Sequence, residues 1–189
     1  MDEALRLFAD QGYKGTTVTD IERAAGLSPG AGGLYKHFAT KEELLRTAVE
    51  HRAQSQALGI TTFDQLGVDG VAEQLAIILR GGLMLLEADR DLLALILKEG
   101  ARFPAVLSLA RERLIDTGHR WLSGWLHRHI TDGLLEAHDT DALAAVLIET
   151  LAGHAVLRFI LGAEVGAIDE DRLITVLSAL VLQHHVHDD

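Results

Sequence analysis

Two prolines stand in 189 residues, and the apolar side chains between them recur three and four apart. That spacing constrains the fold more than any other feature. Leu5, Phe8 and Ala9 make one such set; Leu44, Leu45, Ala48 and Val49 make another. Leu75, Ile78, Leu79, Leu83 and Leu86 follow, then Leu143, Val146, Leu147 and Leu151. Each set lines one side of an α-helix. The alternation of a strand is sustained nowhere. The pattern predicts an all-α chain with helices near 2–11, 18–25, 31–38, 41–57, 70–87, 90–100, 105–130, 141–161 and 170–185.

Charge divides this helical chain. It carries 28 acidic and 17 basic residues, a formal net charge of −11, so any contact with nucleic acid must use a local patch. Residues 1–52 hold 7 basic and 8 acidic side chains, whereas residues 53–189 hold 10 and 20. The stretch from Gly59 to Gly67 is rich in turn formers and marks a junction. Two domains are expected, 1–52 and 53–189. There is no cysteine, which excludes disulfides and thiolate zinc sites. Met1-Asp2-Glu3 is acidic where an export signal would be positive. The longest apolar run, Leu75 to Leu86, is interrupted by Arg80 and is too short to span a bilayer. The expectation is a cytoplasmic protein with no membrane partner.

The first fifty residues carry the sharpest signals. Gly12 stands where a helix C-terminus needs a left-handed residue. Thr17-Val18-Thr19-Asp20 is a capping box that opens a short helix ending at Gly26. Ser28 is a candidate cap for the next helix, with Pro29 at its first position. That helix carries Leu34-Tyr35-Lys36-His37-Phe38. Two short helices around a tight glycine turn are the grammar of a helix-turn-helix, whose second helix is sized for the DNA major groove. Thr40-Lys41-Glu42-Glu43 is a further capping box. Lys41 sits at a helix N-terminus, where the dipole disfavours a cation unless an anion such as a phosphate docks beside it. A solvated lysine is the bland alternative.

Five blocks in order carry a family resemblance: Ala4-Leu5-Arg6-Leu7-Phe8 with Gly12-Tyr13, Thr16-Thr17-Val18, Ala24-Ala25-Gly26-Leu27-Ser28, Leu34-Tyr35-Lys36-His37-Phe38, and Lys41-Glu42-Glu43-Leu44-Leu45. Residues 1–52 resemble the DNA-binding domain of TetR-type transcriptional repressors. The resemblance implies an N-terminal three-helix helix-turn-helix domain followed by a helical, dimeric, effector-binding domain. It implies phosphate contacts from Thr17, Tyr35 and Lys41, with core packing the alternative for Tyr35; Lys36 would face either bases or phosphate, and Ser28 or His37 would join the direct readout. Phe38 is expected in the core. Two features depart from the family pattern. The link Ser28-Pro29-Gly30-Ala31-Gly32-Gly33 is about two residues longer than usual, and its glycines cost roughly 1 kcal/mol each in a helix. Ala31, Gly32 and Gly33 offer only shape or methyl contact. The first helix also begins at the start of the chain, without the basic arm that family members carry. Either the native start lies upstream or the arm's phosphate contacts are missing.

The acidic remainder holds no His-Glu-x-x-His, Gly-x-Ser-x-Gly, P-loop or dinucleotide fingerprint. Trp121 and Trp125 lie one turn apart and would wall an apolar ligand pocket or simply fill the core. His154 and Arg158, also one turn apart in an apolar run, would orient an effector or bond across an interface. Glu99, Arg102 and Phe103 precede Pro104 at a bend that would transmit a helix shift to the DNA-binding half. His119, His127, His129 and the tail from His184 to His187 lack metal-ligand spacing, so no metal or cofactor is expected. The stripes Leu143, Val146, Leu147, Leu151 and Leu173, Val176, Leu177, Leu180, Val181 would pair two copies as a four-helix bundle.

These features favour a non-enzymatic regulator, a repressor by resemblance. It would bind a palindromic operator on double-stranded DNA as a homodimer and be released by a small-molecule effector. The alternative is an all-helical enzyme or ligand carrier with a vestigial helix-turn-helix.

Overall fold

A computed structural model describes residues 1–29, 33–63, 67, 68, 70–162 and 168–182. Among these there is helix and no strand. In chain order the α-helices are α1 (Asp2–Gly15), α2 (Val18–Ala24), α3 (Lys41–Phe63), α4 (Val71–Ala88), α5 (Arg90–Glu99), α6 (Pro104–Ala110), α7 (Asp116–Thr131), α8 (Thr140–Ala155) and α9 (Glu170–Leu182). The apolar spacing therefore placed the helices well. The junction expected at 59–67 is shorter than it looked, because α3 continues to Phe63.

Two long helical runs contain a wider turn. Arg111–Ile115 and Val156–Ile160 are π-helical. A π turn adds a residue to the α repeat and rotates everything beyond it. Sequence periodicity alone does not reveal such an insertion.

The chain folds into two compact units that are not continuous in sequence. The first contains Met1–Gln56 and Asp89–Ile115; the second contains Ala57–Ala88 and Asp116–Asp189. In the first, Leu5, Phe8, Ile21, Leu45 and Val49 share a core with Leu92, Leu95, Val106 and Ala110. The helices around Pro104 thus belong with the N-terminal fifty residues. Arg52 is tied in the same way: its Nε donates to Asp89 Oδ1 at 2.6 Å.

In the second unit α4, α7, α8 and α9 enclose Leu75, Leu79, Leu83, Leu126, Leu147, Leu151, Ile174 and Leu177. Helices α4 and α8 approach closely: a Cβ on Gly82 would lie 3.1 Å from Leu151 Cδ1. The two expected pairing stripes divide between faces. Leu147, Leu151, Leu177 and Val181 are buried in this core, while Val146, Val176 and Leu180 are exposed. The run Thr140–Ile160 is long and apolar enough to cross a membrane by length and composition, although it carries Asp141, Glu149 and Arg158.

Candidate nucleic-acid interface

The interface is built on the capping box that opens α2. Thr17 Oγ1 accepts from Asp20 N at 3.1 Å, and Thr17 N donates to Asp20 Oδ2 at 3.0 Å. Bonds from the Thr17 hydroxyl and amide hold the Asp20 carboxyl below its usual range. Thr17 is exposed, yet both groups expected to meet phosphate are already engaged. A phosphate there would have to share them with Asp20.

Helix α2 closes as a Schellman motif. Leu27 N donates to Glu22 O at 2.8 Å and Gly26 N to Arg23 O at 3.2 Å, with Gly26 at φ +71°. A side chain at Gly26 would have room but an unfavourable backbone. Ser28 follows, exposed. Ala31 and Gly32 lie outside the described residues.

The expected helix over 31–38 is corrected. Its described part is a single 3-10 turn, Leu34–Lys36. His37 N and Phe38 N both donate to Leu34 O, at 2.9 and 2.8 Å, and no further turn follows. Gly33 at its entry weakens helix propagation, which suits a short tight turn. The turn is nonetheless anchored. Glu22, only 1% exposed, accepts from Leu34 N at 3.2 Å through Oε1, while Leu34 and Phe38 pack on the first unit's core. This leaves Tyr35 60% exposed with Lys36 and His37 exposed beside it. Three side chains with a phenol, an ammonium and an imidazole therefore stand outward together.

Lys41 does not stand with them. Its Nζ donates to Thr16 O at 2.7 Å and to Tyr13 O, and lies 4.3 Å from the centre of the Tyr13 ring. Partial burial pushes its pKa down, and the charge of Glu99 opposes that shift. The lysine caps the C-terminal carbonyls of α1, which suits a cation. Its placement at the start of α3 is explained without a bound anion. The cap of α3 itself comes from Thr40, whose Oγ1 accepts from Glu43 N at 3.0 Å.

The signals that sequence reading missed are the buried Glu22 and the contacts made by Lys98 and Glu99. Lys98 Nζ donates to Ala9 O at 2.7 Å, and Glu99 Oε1 accepts from Tyr13 N at 2.8 Å. Arg102 holds the other oxygen of Glu99 at 2.8 Å, and Phe103 lies 4.5 Å from Tyr13, ring to ring. The bend before Pro104 therefore does touch the helix-turn-helix, as its position suggested.

In the second unit Trp125 is buried in the core and Trp121 packs against it. His129 stacks on Trp125 at 4.0 Å and its Nδ1 pairs with Trp125 O. His119 Nε2 pairs with Asp141 O at 2.9 Å. His154 buries Nε2 without a hydrogen-bond partner. Arg158 does not join it: the residue is exposed and its Nη1 lies 2.9 Å from Glu170 Oε1. The π turn that starts at Val156 explains why a spacing of four does not keep the two together. Among the described residues no three His, Asp or Glu side chains could hold a metal ion. The tail His184 to His187 lies outside the described residues.

An N-terminal helix, a capped second helix, a glycine turn and a short exposed segment define a helix-turn-helix protein. Residues 1–48 match the tetR family of bacterial regulatory proteins, and residues 73–182 match the C-terminal domain of AefR-like transcriptional repressors. The chain belongs to the tetR family of bacterial regulatory proteins.

Over 51 residues it is 39% identical to IcaR of Staphylococcus epidermidis, the negative transcriptional regulator of the biofilm operon icaADBC. That match takes in 27% of this chain and 26% of IcaR, so the chain spans about a quarter of this curated relative. Two solved structures share the fold over nearly the whole length. FadR from Bacillus subtilis, in complex with stearoyl-CoA, is 20% identical with a TM-score of 0.71, covering 98% of this chain and 97% of that one. The fatty acid degradation regulator FadR from Bacillus halodurans is 22% identical with a TM-score of 0.75, covering 99% and 94%.

Proposed function

We propose that this chain is a cytoplasmic repressor that binds a palindromic operator as a homodimer through residues 1–52. Residues 53–189 pair the two copies and receive a small-molecule effector that releases the DNA. The observation that carries this is the outward group of Tyr35, Lys36 and His37, held on a turn that the buried Glu22 anchors, in a chain of the tetR family. One exposed turn reaches only a few base pairs, so useful specificity needs two half-sites and hence two copies. The exposed Val146, Val176 and Leu180 on α8 and α9 supply apolar surface for that pairing.

Of the four candidate effector residues, His154 has the best support, because an unpartnered buried nitrogen favours a ligand that supplies the missing bond. Trp121 and Trp125, in the apolar core of the same unit, are the proposed apolar contacts for the effector. Arg158, paired with Glu170 on the surface, contributes to holding α9 instead. FadR of Bacillus subtilis holds stearoyl-CoA, and an acyl thioester is the effector class we assign to this chain.

The test is selection from a random-sequence duplex pool, followed by titration with acyl-CoAs of increasing chain length. Enrichment of an inverted repeat and its release by one length class support the reading. Release that needs about 5.5 kcal/mol of preference between two states corresponds to reversing a 99:1 population. Absence of any enriched duplex contradicts the DNA-binding claim, and indifference to every acyl-CoA contradicts the effector class.

A further inference from the structure

Helix α1 contains a break that two side chains from a distant helix repair. Gly12 sits at φ +77° and ψ 156°, far from helical values. In an unbroken helix Tyr13 N–H would donate to Ala9 O, four residues back. Here Tyr13 N donates to Glu99 Oε1 at 2.8 Å, and Ala9 O accepts from Lys98 Nζ at 2.7 Å. The adjacent pair Lys98–Glu99, at the end of α5, supplies one donor and one acceptor to the two groups that the kink diverts. A backbone amide and a carbonyl left buried without partners are costly, so the kink and the pair depend on each other.

We propose that Lys98 and Glu99 are positioning residues for DNA binding, a reading that rests on the operator function proposed above. By splicing the break in α1 they fix the angle at which Tyr13–Gly15, the last residues of α1, and the link Thr16–Thr17 lead into α2. Four further hydrogen bonds confine the same corner. Lys41 holds Tyr13 O and Thr16 O, Thr16 Oγ1 donates to Leu7 O at 3.0 Å, and Arg102 steadies Glu99 from the other side. Gly12 is part of the device: a Cβ there would lie 2.9 Å from Glu99 Oε1, on a backbone conformation that side chains disfavour. Lys98 and Arg102 are exposed, but Lys98 Nζ is engaged by Ala9 O and Arg102 Nη1 by Glu99, so their proposed effect on DNA runs through the placement of α2 and the turn after it.

The test uses the full chain and a duplex that the wild type enriches from a random-sequence pool. Lys98→Met, Glu99→Ala, Glu99→Gln and the double variant Lys98→Met with Glu99→Ala are compared by DNA affinity, thermal midpoint and exchange of the Tyr13 amide. Lys98→Met and Glu99→Ala should each weaken binding by roughly tenfold, in the range of typical coupling effects. Glu99→Gln keeps an oxygen for Tyr13 N and should restore most of the affinity. The double variant should lose little more than the worse single one, because the two side chains serve one break. A merely structural pair would lower the midpoint and leave the affinity of the folded fraction unchanged. That result overturns the proposal, as does wild-type affinity in both single variants. Failure of the wild type to enrich any duplex instead overturns the operator reading, and this inference with it.

Discussion

The Lys41 ammonium donates to Thr16 O at 2.7 Å, so the first residue of α3 closes the last turn of α1. A lysine in that position invites a phosphate role, and its carbonyl partners give a different one. The two roles separate cleanly in salt. Lys41→Met should lower stability by about 1–3 kcal/mol, as expected for lost bonds to a charged donor. It should leave the slope of log affinity against log salt unchanged. A phosphate lysine would instead reduce that slope by about one.

Lys36 is the counterpart. It is exposed on the 3-10 turn, and Lys36→Ala should reduce the salt slope by about one while the unfolding midpoint stays put. Tyr35→Phe removes only a hydroxyl from a side chain 60% exposed. It should weaken DNA binding by several-fold, roughly one hydrogen bond's worth, without changing stability. Equilibrium titration at several salt concentrations reads both variants.

Glu22 anchors the turn from within. Glu22→Ala leaves Leu34 N without its acceptor and should cost about 1–3 kcal/mol in urea unfolding. Glu22→Gln retains an oxygen and should cost less. If the alanine variant keeps full stability and full DNA affinity, the turn is held by Leu34 and Phe38 packing alone.

The exposed apolar residues of α9 test the dimer. Leu180 is exposed and Leu177 is buried one turn away. Leu180→Arg should give a folded monomer by sedimentation, with operator binding lost. Leu177→Ala should instead destabilise the chain by about 2–5 kcal/mol, as core truncations do. A dimer that survives Leu180→Arg would place the pairing surface elsewhere.

Asp89 gives a pH dependence with a defined sign. Burial raises its pKa above the ordinary 3.8, and the neighbouring Arg52 charge only partly offsets that. A carboxyl with a raised folded pKa stabilises fully below 3.8 and loses that contribution as pH climbs through the raised value. The stability difference between wild type and Asp89→Asn should therefore shift in favour of wild type as pH falls from 7 toward 4. Urea unfolding across that range measures it, and a shift the other way would mean that the Arg52 pair outweighs desolvation.

Local chemistry was readable from the residues, and long-range chemistry was not. The Thr17–Asp20 capping box and the Gly26 stop have patterns confined to a few neighbours, so they are visible in the string. The core faces of α4 and α8 follow from apolar spacing. Nothing near Glu99 or Lys98 says that they reach a broken helix nearly ninety positions earlier. Gly12 advertises a break, but only tertiary packing shows what mends it.

Spacing along the string also hides which neighbours a residue meets. Counting four residues from His154 to Arg158 assumes an α repeat, and the π turn at Val156 removes that assumption. Lys41 begins α3 in the string, whereas its bonding partners lie at the end of α1. Of the apolar stripes on α8 and α9, two of four and two of five residues are buried in the core of their own unit, a division that spacing alone does not show.

Selection of duplexes from a random pool, with the bound stoichiometry measured on the winner, tests the regulator reading most directly. The expected winner is an inverted repeat whose half-site centres lie about one helical turn apart, 34–36 Å or a multiple, bound by two chains and lost when Tyr35 and Lys36 are both replaced by alanine. Enrichment of no sequence, or binding by a lone chain that survives the loss of Tyr35 and Lys36, would contradict it.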